Sequence, residues 1–192
     1  SVLSIAQTPN GYLWLGTEEG LVRFDGVRFT IFDKRSTPGL QNNQILALLV
    51  DHRHNLWIGT NGGGLSRFSN GTFTAYTSRD GLSNDSILSL YEDKAGVIWI
   101  GTDGGGLFRL KNGKFDVFTR ADGLPDNAVS SISGDDDGTL WIGTHGGLSK
   151  LSDGKFITCR TATALATDYI RSTHVDRHGI VWVGTNVDGL YR

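Results

Sequence analysis

Five tryptophans, Trp14, Trp57, Trp99, Trp141 and Trp182, recur at almost equal intervals along the chain. Each lies in the same phrase: LWLGT, LWIGT, IWIGT, LWIGT and VWVGT. Twelve residues before each Trp an apolar stretch begins, at Val2, Ile45, Ile87, Val129 and Ile170. Six or seven residues after it comes a Gly-Leu pair, and nine residues after that Gly stands Phe29, Phe73, Phe115 or Phe156. The fifth copy reaches Arg192 before its own Phe. A fixed period of about 42 residues requires stacked, similar units.

Each unit reads as four short strands. In the third copy they fall near Ile87 to Glu92, Val97 to Thr102, Leu107 to Leu110 and Lys114 to Thr119. The first alternates apolar and polar residues, as a half-buried strand does, whereas the second is almost continuously apolar and expects cover on both faces. Between the third and fourth strands lie Asp25-Gly26, Asn70-Gly71, Asn112-Gly113 and Asp153-Gly154, pairs suited to two-residue type I′ hairpins. Asp93-x-x-Gly96 and its counterparts mark ordinary turns between the first and second strands. No helical period is present. Four antiparallel strands in every period predict an all-β chain of β-propeller blades, with each Trp filling the wedge between neighbouring sheets. The expected blades span about 1–44, 45–86, 87–128, 129–169 and an incomplete 170–192. A ring that seals its last blade commonly uses a strand from the other terminus. Neither end of this chain supplies one, so a segment of a larger ring is expected; the alternative is five blades that close on themselves with an incomplete last blade.

Composition narrows the function. The 27 glycines carry no collagen-like period and read as turn punctuation, and the absence of methionine suggests a piece of something longer. Lys plus Arg (18) nearly balances Asp plus Glu (20), which argues against a nucleic-acid partner. No apolar run is long enough for a membrane helix, so no direct membrane contact is expected. The single Cys159 fills the slot held by Phe32, Tyr76 and Phe118 in the other copies, a packing role. Gly62-Gly63-Gly64 and Gly104-Gly105-Gly106 lack the Lys-Ser/Thr and helix of a phosphate cradle. Asp135-Asp136-Asp137-Gly138 lacks the alternating ligands of a calcium loop, and His174 and His178 flank a strand and turn too far apart for one metal. His52 and His54 read as surface residues. No catalytic, metal or cofactor site is expected. The basic residue two places after each Gly-Leu (Arg23, Arg67, Arg109, Lys150, Arg192) suggests a structural ion pair or hydrogen bond repeated in every blade.

Length varies only between Trp and Gly-Leu and in the link between copies. The link from Phe32 to Ile45 is longer by two than those from Tyr76 to Ile87 and from Phe118 to Val129. Both connections emerge on one side of a four-stranded blade, and insertions confined to one face often mark a binding face. Directly after each Gly-Thr the residue changes freely: Glu18, Asn61, Asp103, His145 and Asn186. These five are the candidate ligand-binding residues, for a small polar ligand or oligosaccharide.

The phrase D-x-x-G-x-L-W-I-G-T-x-x-G-G-L-x-R, seen from Asp93 to Arg109 with Ile98 at the Leu position, resembles the two-component regulator propeller repeat. So does the linker D-G-L-x-x-N/D-x-I/V, at Asp80 to Ile87 and Asp122 to Val129; the fourth linker departs, with Ala164-Leu165 in place of Gly-Leu. The resemblance covers four copies and most of a fifth. It implies the periplasmic sensing region of a bacterial receptor, a ring of about seven blades, and a downstream histidine kinase or diguanylate cyclase. Some members sense glycan fragments. A non-enzymatic sensor is therefore the leading expectation. The alternatives are a propeller enzyme of the streptogramin lyase or lactonase type, for which His145 is the one catalytic candidate, and a protein-interaction scaffold.

Overall fold

The computed structural model describes residues 1–159 and 169–192; Ala164-Leu165 lies outside them. Five antiparallel sheets follow one another in chain order. The first comprises β1 (Val2–Gln7), β2 (Leu13–Thr17), β3 (Leu21–Phe24) and β4 (Phe29–Phe32). The second comprises β5 (Ile45–Val50), β6 (Leu56–Thr60), β7 (Leu65–Ser69) and β8 (Thr72–Tyr76). The third comprises β9 (Ile87–Glu92), β10 (Ile98–Thr102), β11 (Leu107–Lys111) and β12 (Lys114–Phe118). The fourth comprises β13 (Val129–Gly134), β14 (Leu140–Thr144), β15 (Gly147–Ser152) and β16 (Lys155–Thr158). The fifth has three strands, β17 (Ile170–Val175), β18 (Val181–Thr185) and β19 (Leu190–Tyr191). Strand neighbours in each sheet are sequence neighbours, so every sheet is a meander, as in a propeller blade. The chain divides into two compact units, Ser1–Glu92 and Asp93–Arg192.

Within the first unit, one core joins the first two sheets. It contains Trp14, Leu21, Leu40, Ile45, Leu56 and Ile58, with Phe32, Phe68 and Phe73 packed around it. Trp14 lies 5.3 Å from Phe68 and Phe32 lies 5.6 Å from Phe73, ring centroid to ring centroid. The Gly of the repeated phrase makes this stacking possible. A Cβ on Gly16 would lie 2.8 Å from Cγ2 of Ile45, and one on Gly59 2.7 Å from Cγ2 of Ile87. Each glycine is thus a socket for the first apolar residue of the next sheet. In the second unit Gly143 receives Ile170 in the same way, at 2.6 Å. All five residues of β6 and of β10 are buried, which is why those strands read as unbroken apolar runs.

The hairpin tips divide into two kinds. Asn70-Gly71, Asn112-Gly113 and Asp153-Gly154 all have positive φ at both residues, the type I′ pattern expected of them. The first hairpin differs by one residue. Asp25 keeps a negative φ and uses its carboxylate to accept the N–H groups of Val27 and Arg28; the central pair is Gly26-Val27, with positive φ at Gly26 alone. That is the pattern of a II′ turn. The D-G-L linkers also have a local cause. Short 3₁₀ turns at Ser78–Asp80 and Arg120–Asp122 are closed by capping boxes between Thr77 and Asp80 and between Thr119 and Asp122. Gly81 and Gly123 end these turns in the left-handed region, and Leu82 and Leu124 are buried.

The Asp between first and second strands does more than shape a turn. In the second sheet one oxygen of Asp51 accepts the N–H groups of Arg53 and Asn55, and the other accepts the Trp57 indole N–H at 2.8 Å. Asp93 holds Trp99, and Asp176 holds Trp182, by the same bond. Thr8 replaces the Asp for Trp14, at 3.2 Å. Asp135 caps its turn, yet the Trp141 indole nitrogen is buried without a partner among the described residues. Across the sheet, Arg23, Arg67, Arg109 and Lys150 stand directly opposite these tryptophans. The expected ion pair forms at Arg109, 2.8 Å from Asp116. Arg23 and Arg67 instead lay their guanidinium groups over Trp14 and Trp57, at 5.9 and 5.8 Å from the ring centroids. The recurring cation is therefore chiefly a cation–π lid on the Trp. Cys159 is half-buried and packs, like Trp141, against the cluster of Leu148, Ile170 and Val183 between the fourth and fifth sheets, where burial raises the thiol pKa above its ordinary value against the weaker pull of Lys150. His52 is not merely a surface residue: its backbone N–H and ring both engage the Glu92 carboxylate.

Candidate functional site

The residue following each Gly-Thr emerges at the end of a sheet's second strand, beside the start of the first. There the register slips, between Val2 and Ser4, Ile45 and Ala47, Val129 and Ser131, and Ile170 and Ser172. Such bulges turn side chains away from the regular pleat. The slip leaves the residue just before the first strand (Ser1, Gln44, Ala128 or Tyr169) facing the variable position. The sequence offset between the two is the same in every copy, from Ser1 to Glu18 as from Tyr169 to Asn186.

In the first unit, the Glu18 carboxylate lies 3.3 Å from the Ser1 backbone nitrogen. Asn61 is tied on two sides. Its backbone N–H donates to the Gln44 carbonyl and its side-chain amide to Gln44 Oε1, while its Oδ1 accepts from the Ser86 hydroxyl at 3.0 Å. Asn61 therefore touches the entry residue of its own sheet and that of the next.

In the second unit three candidates fall into one row. Asp103 forms an antiparallel bridge with Ala128, whose carbonyl accepts the His145 backbone N–H at 3.1 Å. The His145 ring lies 3.8 Å from the Tyr169 ring, centroid to centroid, and the Tyr169 carbonyl accepts the Asn186 backbone N–H at 2.9 Å. The row thus runs Asp103, Ala128, His145, Tyr169, Asn186. Arg171 completes it: Nε and Nη2 both donate to Asn186 Oδ1, at 2.9 and 2.7 Å, and the guanidinium lies 5.0 Å from the Tyr169 ring centroid. The buried Nε2 of His145 has no hydrogen-bond partner among the described residues. A buried polar atom left so is a place where a ligand or water group gains a bond. Asp103 and Asn186 are exposed. The row offers a carboxylate, an imidazole, a phenol and a guanidinium to a polar solute.

Tyr169, Arg171 and the other entry residues are absent from the candidates that the sequence suggests. The constant offset could have found the entry positions, because they vary as freely as the residues after Gly-Thr. Arg171 has no such signal.

Meandering four-stranded sheets, joined through a Trp face and a Gly socket, define a chain of propeller repeats. The two component regulator propeller family model matches residues 1–19, 39–62, 81–104 and 123–146. The chain thus carries four copies of this family's repeat. The extracellular domain of a hybrid two-component system of B. thetaiotaomicron superposes with a TM-score of 0.84 at 28% identity, covering 98% of this chain and 28% of that one. The extracellular domain of another such system from the same organism gives 0.81 at 22% identity, covering 96% and 28%. Virginiamycin B lyase from Staphylococcus aureus gives 0.74 at 15% identity, covering 99% and 68%, a likeness of fold alone. The chain spans under a third of the length of the two sensor domains. No curated protein matches it in sequence.

Proposed function

We propose that this chain forms part of a non-enzymatic, ligand-sensing propeller in a bacterial signal-transduction receptor. The ligand is a small polar solute, such as a glycan fragment, bound along the row from Asp103 to Asn186. The observation that carries this reading is the repeated pairing of two freely varying positions on an otherwise constant frame. Such an arrangement lets hydrogen-bonding chemistry change without disturbing the sheets. The likeness to the extracellular domain of a hybrid two-component system supports a signalling role, an extracytoplasmic location and an output module elsewhere in the receptor, a kinase or a cyclase in our reading.

Titration calorimetry of the chain against a panel of neutral and acidic oligosaccharides tests this. For a sugar that binds, the double variant Asp103→Ala, His145→Ala is expected to weaken affinity at least about tenfold, the loss of one good charged hydrogen bond. Asn112→Gly, in a hairpin tip at the other end of its sheet, is expected to leave it unchanged. Unchanged affinity in the double variant would place the site elsewhere. Turnover of a lactone or cyclic depsipeptide, lost on His145→Ala, would favour the enzymatic alternative.

A further inference from the structure

A repeat shows what each position needs in order to fold, so departures from it that meet in one place call for another cause. Three meet between the first two sheets, at the end opposite Glu18 and Asn61. A cavity of about 390 Å³ opens there, within the size range of small-molecule sites. The turn before β2 supplies Thr8, Asn10 and Tyr12, β3 supplies Arg23, and the second sheet supplies His54 and Phe68.

The first departure is Thr8, where the later copies carry Asp51, Asp93, Asp135 and Asp176. Thr8 accepts the Trp14 indole N–H and donates to Asn10 Oδ1 at 2.6 Å, so a neutral pair stands in place of a carboxylate. The second is Tyr12, where the others have Asn55, Val97, Thr139 and Ile180. Its ring centroid lies 4.7 Å from the Arg23 guanidinium. The third is His54. Gly11, Gly96, Gly138 and Gly179 hold the same turn position with positive φ, yet His54 adopts φ 65 there, a conformation that is costly for a side chain.

These changes surround a cation that lacks a counter-ion. Arg109 pairs with Asp116, whereas the residue across from Arg23 is Thr30. The Arg23 Nε is buried without a hydrogen-bond partner among the described residues. Asp25 feels the Arg23 charge but commits Oδ1 to the N–H groups of Val27 and Arg28 in its own turn. Among the described residues, no Asp or Glu lines the cavity. A partly buried guanidinium gains by pairing, and a carboxylate matches its donor geometry. We propose that this cavity binds a small organic carboxylate with a planar ring, the carboxylate meeting Arg23 and His54 and the ring lying against Tyr12 and Phe68. The site is separate from the row from Asp103 to Asn186 and does not depend on it.

Nuclear magnetic resonance titration of the ¹⁵N-labelled chain with sodium benzoate, 4-hydroxybenzoate and phenylacetate tests the site. Saturable shifts are expected at the Asn10, Tyr12 and Ser69 amides and at the Arg23 Nε–H. Benzamide, the neutral counterpart, and acetate, which lacks the ring, are each expected to bind at least about tenfold more weakly than benzoate. Arg23→Gln is expected to weaken benzoate at least about tenfold, and Arg67→Gln, the same register position in the second sheet, to leave it unchanged. Thr8→Asp restores the residue of the later copies, so it keeps the fold while setting a negative charge beside the site; it too is expected to cost at least about tenfold. His54→Gly should unfold at no lower urea concentration yet bind about fivefold more weakly, a split that a purely structural histidine would not give. Circular dichroism reports whether each variant keeps its fold. The absence of saturable shifts with all three acids overturns the proposal. So does benzoate binding that benzamide matches, that Arg23→Gln leaves unchanged, or that shifts exposed lysines in place of the cavity.

Discussion

Trp57 illustrates how one residue is fixed from three directions. Its indole N–H is held by Asp51, its ring faces Arg67, and Tyr76 packs 5.9 Å away. The Asp51 carboxylate is buried, which alone would raise its pKa. The donors it collects from Asn55, Trp57 and Arg53 outweigh that effect and lower it. Asp176 is also lowered, first by the Trp182 hydrogen bond. A carboxyl whose folded pKa lies below the ordinary 3.8 binds fewer protons folded than unfolded. Its contribution is therefore present above about pH 3.8 and is lost as the pH falls through the folded value. Stability from urea unfolding should be flat near neutrality and decline below that point. Asp51→Asn should remove about 1–3 kcal/mol at pH 7, the range for a buried charged hydrogen-bond acceptor, and make the acid decline shallower. An unaltered acid profile in that variant would remove Asp51 from the account.

At the scale of the element, two glycines that look alike in the sequence carry different constraints. Gly64 and Gly71 both have positive φ. A Cβ on Gly71 meets nothing within 4 Å, whereas one on Gly64 would lie 2.3 Å from the Tyr76 carbonyl oxygen, on the neighbouring strand. Gly71→Ala should therefore destabilise by about 1 kcal/mol, the conformational term alone. Gly64→Ala should lose clearly more, because backbone must move; equal losses in chemical denaturation would show that the edge of the sheet yields freely. Strand positions and the Trp wedge were legible from the period because they depend on burial, which repeats with the pleat. The Asp–Trp bond was not legible, since side chains as far apart in sequence as Asp51 and Trp57 meet only once the turn between them is built. The shift from Asp25-Gly26 to Gly26-Val27 escaped for a related reason. Asx hydrogen bonding by Asp25 and a left-handed Asn are chemically close, and only the register separates them. In the candidate site the varying half after each Gly-Thr could be read. Its partner before the first strand could not be read from either segment alone, because the bulge that brings them together leaves no mark in composition.

At the scale of the whole molecule, stability in a repeat array is nearly a sum of unit and nearest-neighbour terms. The interfaces are alike: a Trp face, a Gly socket and an apolar knob at Ile45, Ile87 or Ile170. Damage to one interface should then stay local. Gly16→Val is the sharpest trial. Its added Cβ would lie 2.2 Å from Ser4 Oγ and 2.8 Å from Ile45 Cγ2, and the Ile belongs to the core shared by the first two sheets. Overpacking of this kind destabilises by about 1–3 kcal/mol. Native-state hydrogen exchange reads where that loss falls. Protection in β2 and in β5 to β7 should drop by roughly five- to a hundredfold, the exchange equivalent of that range, while protection in β14 and β15 of the second unit stays within about twofold. A uniform drop across both units would mean that the array opens as a single cooperative body, and the nearest-neighbour description would fail for this chain.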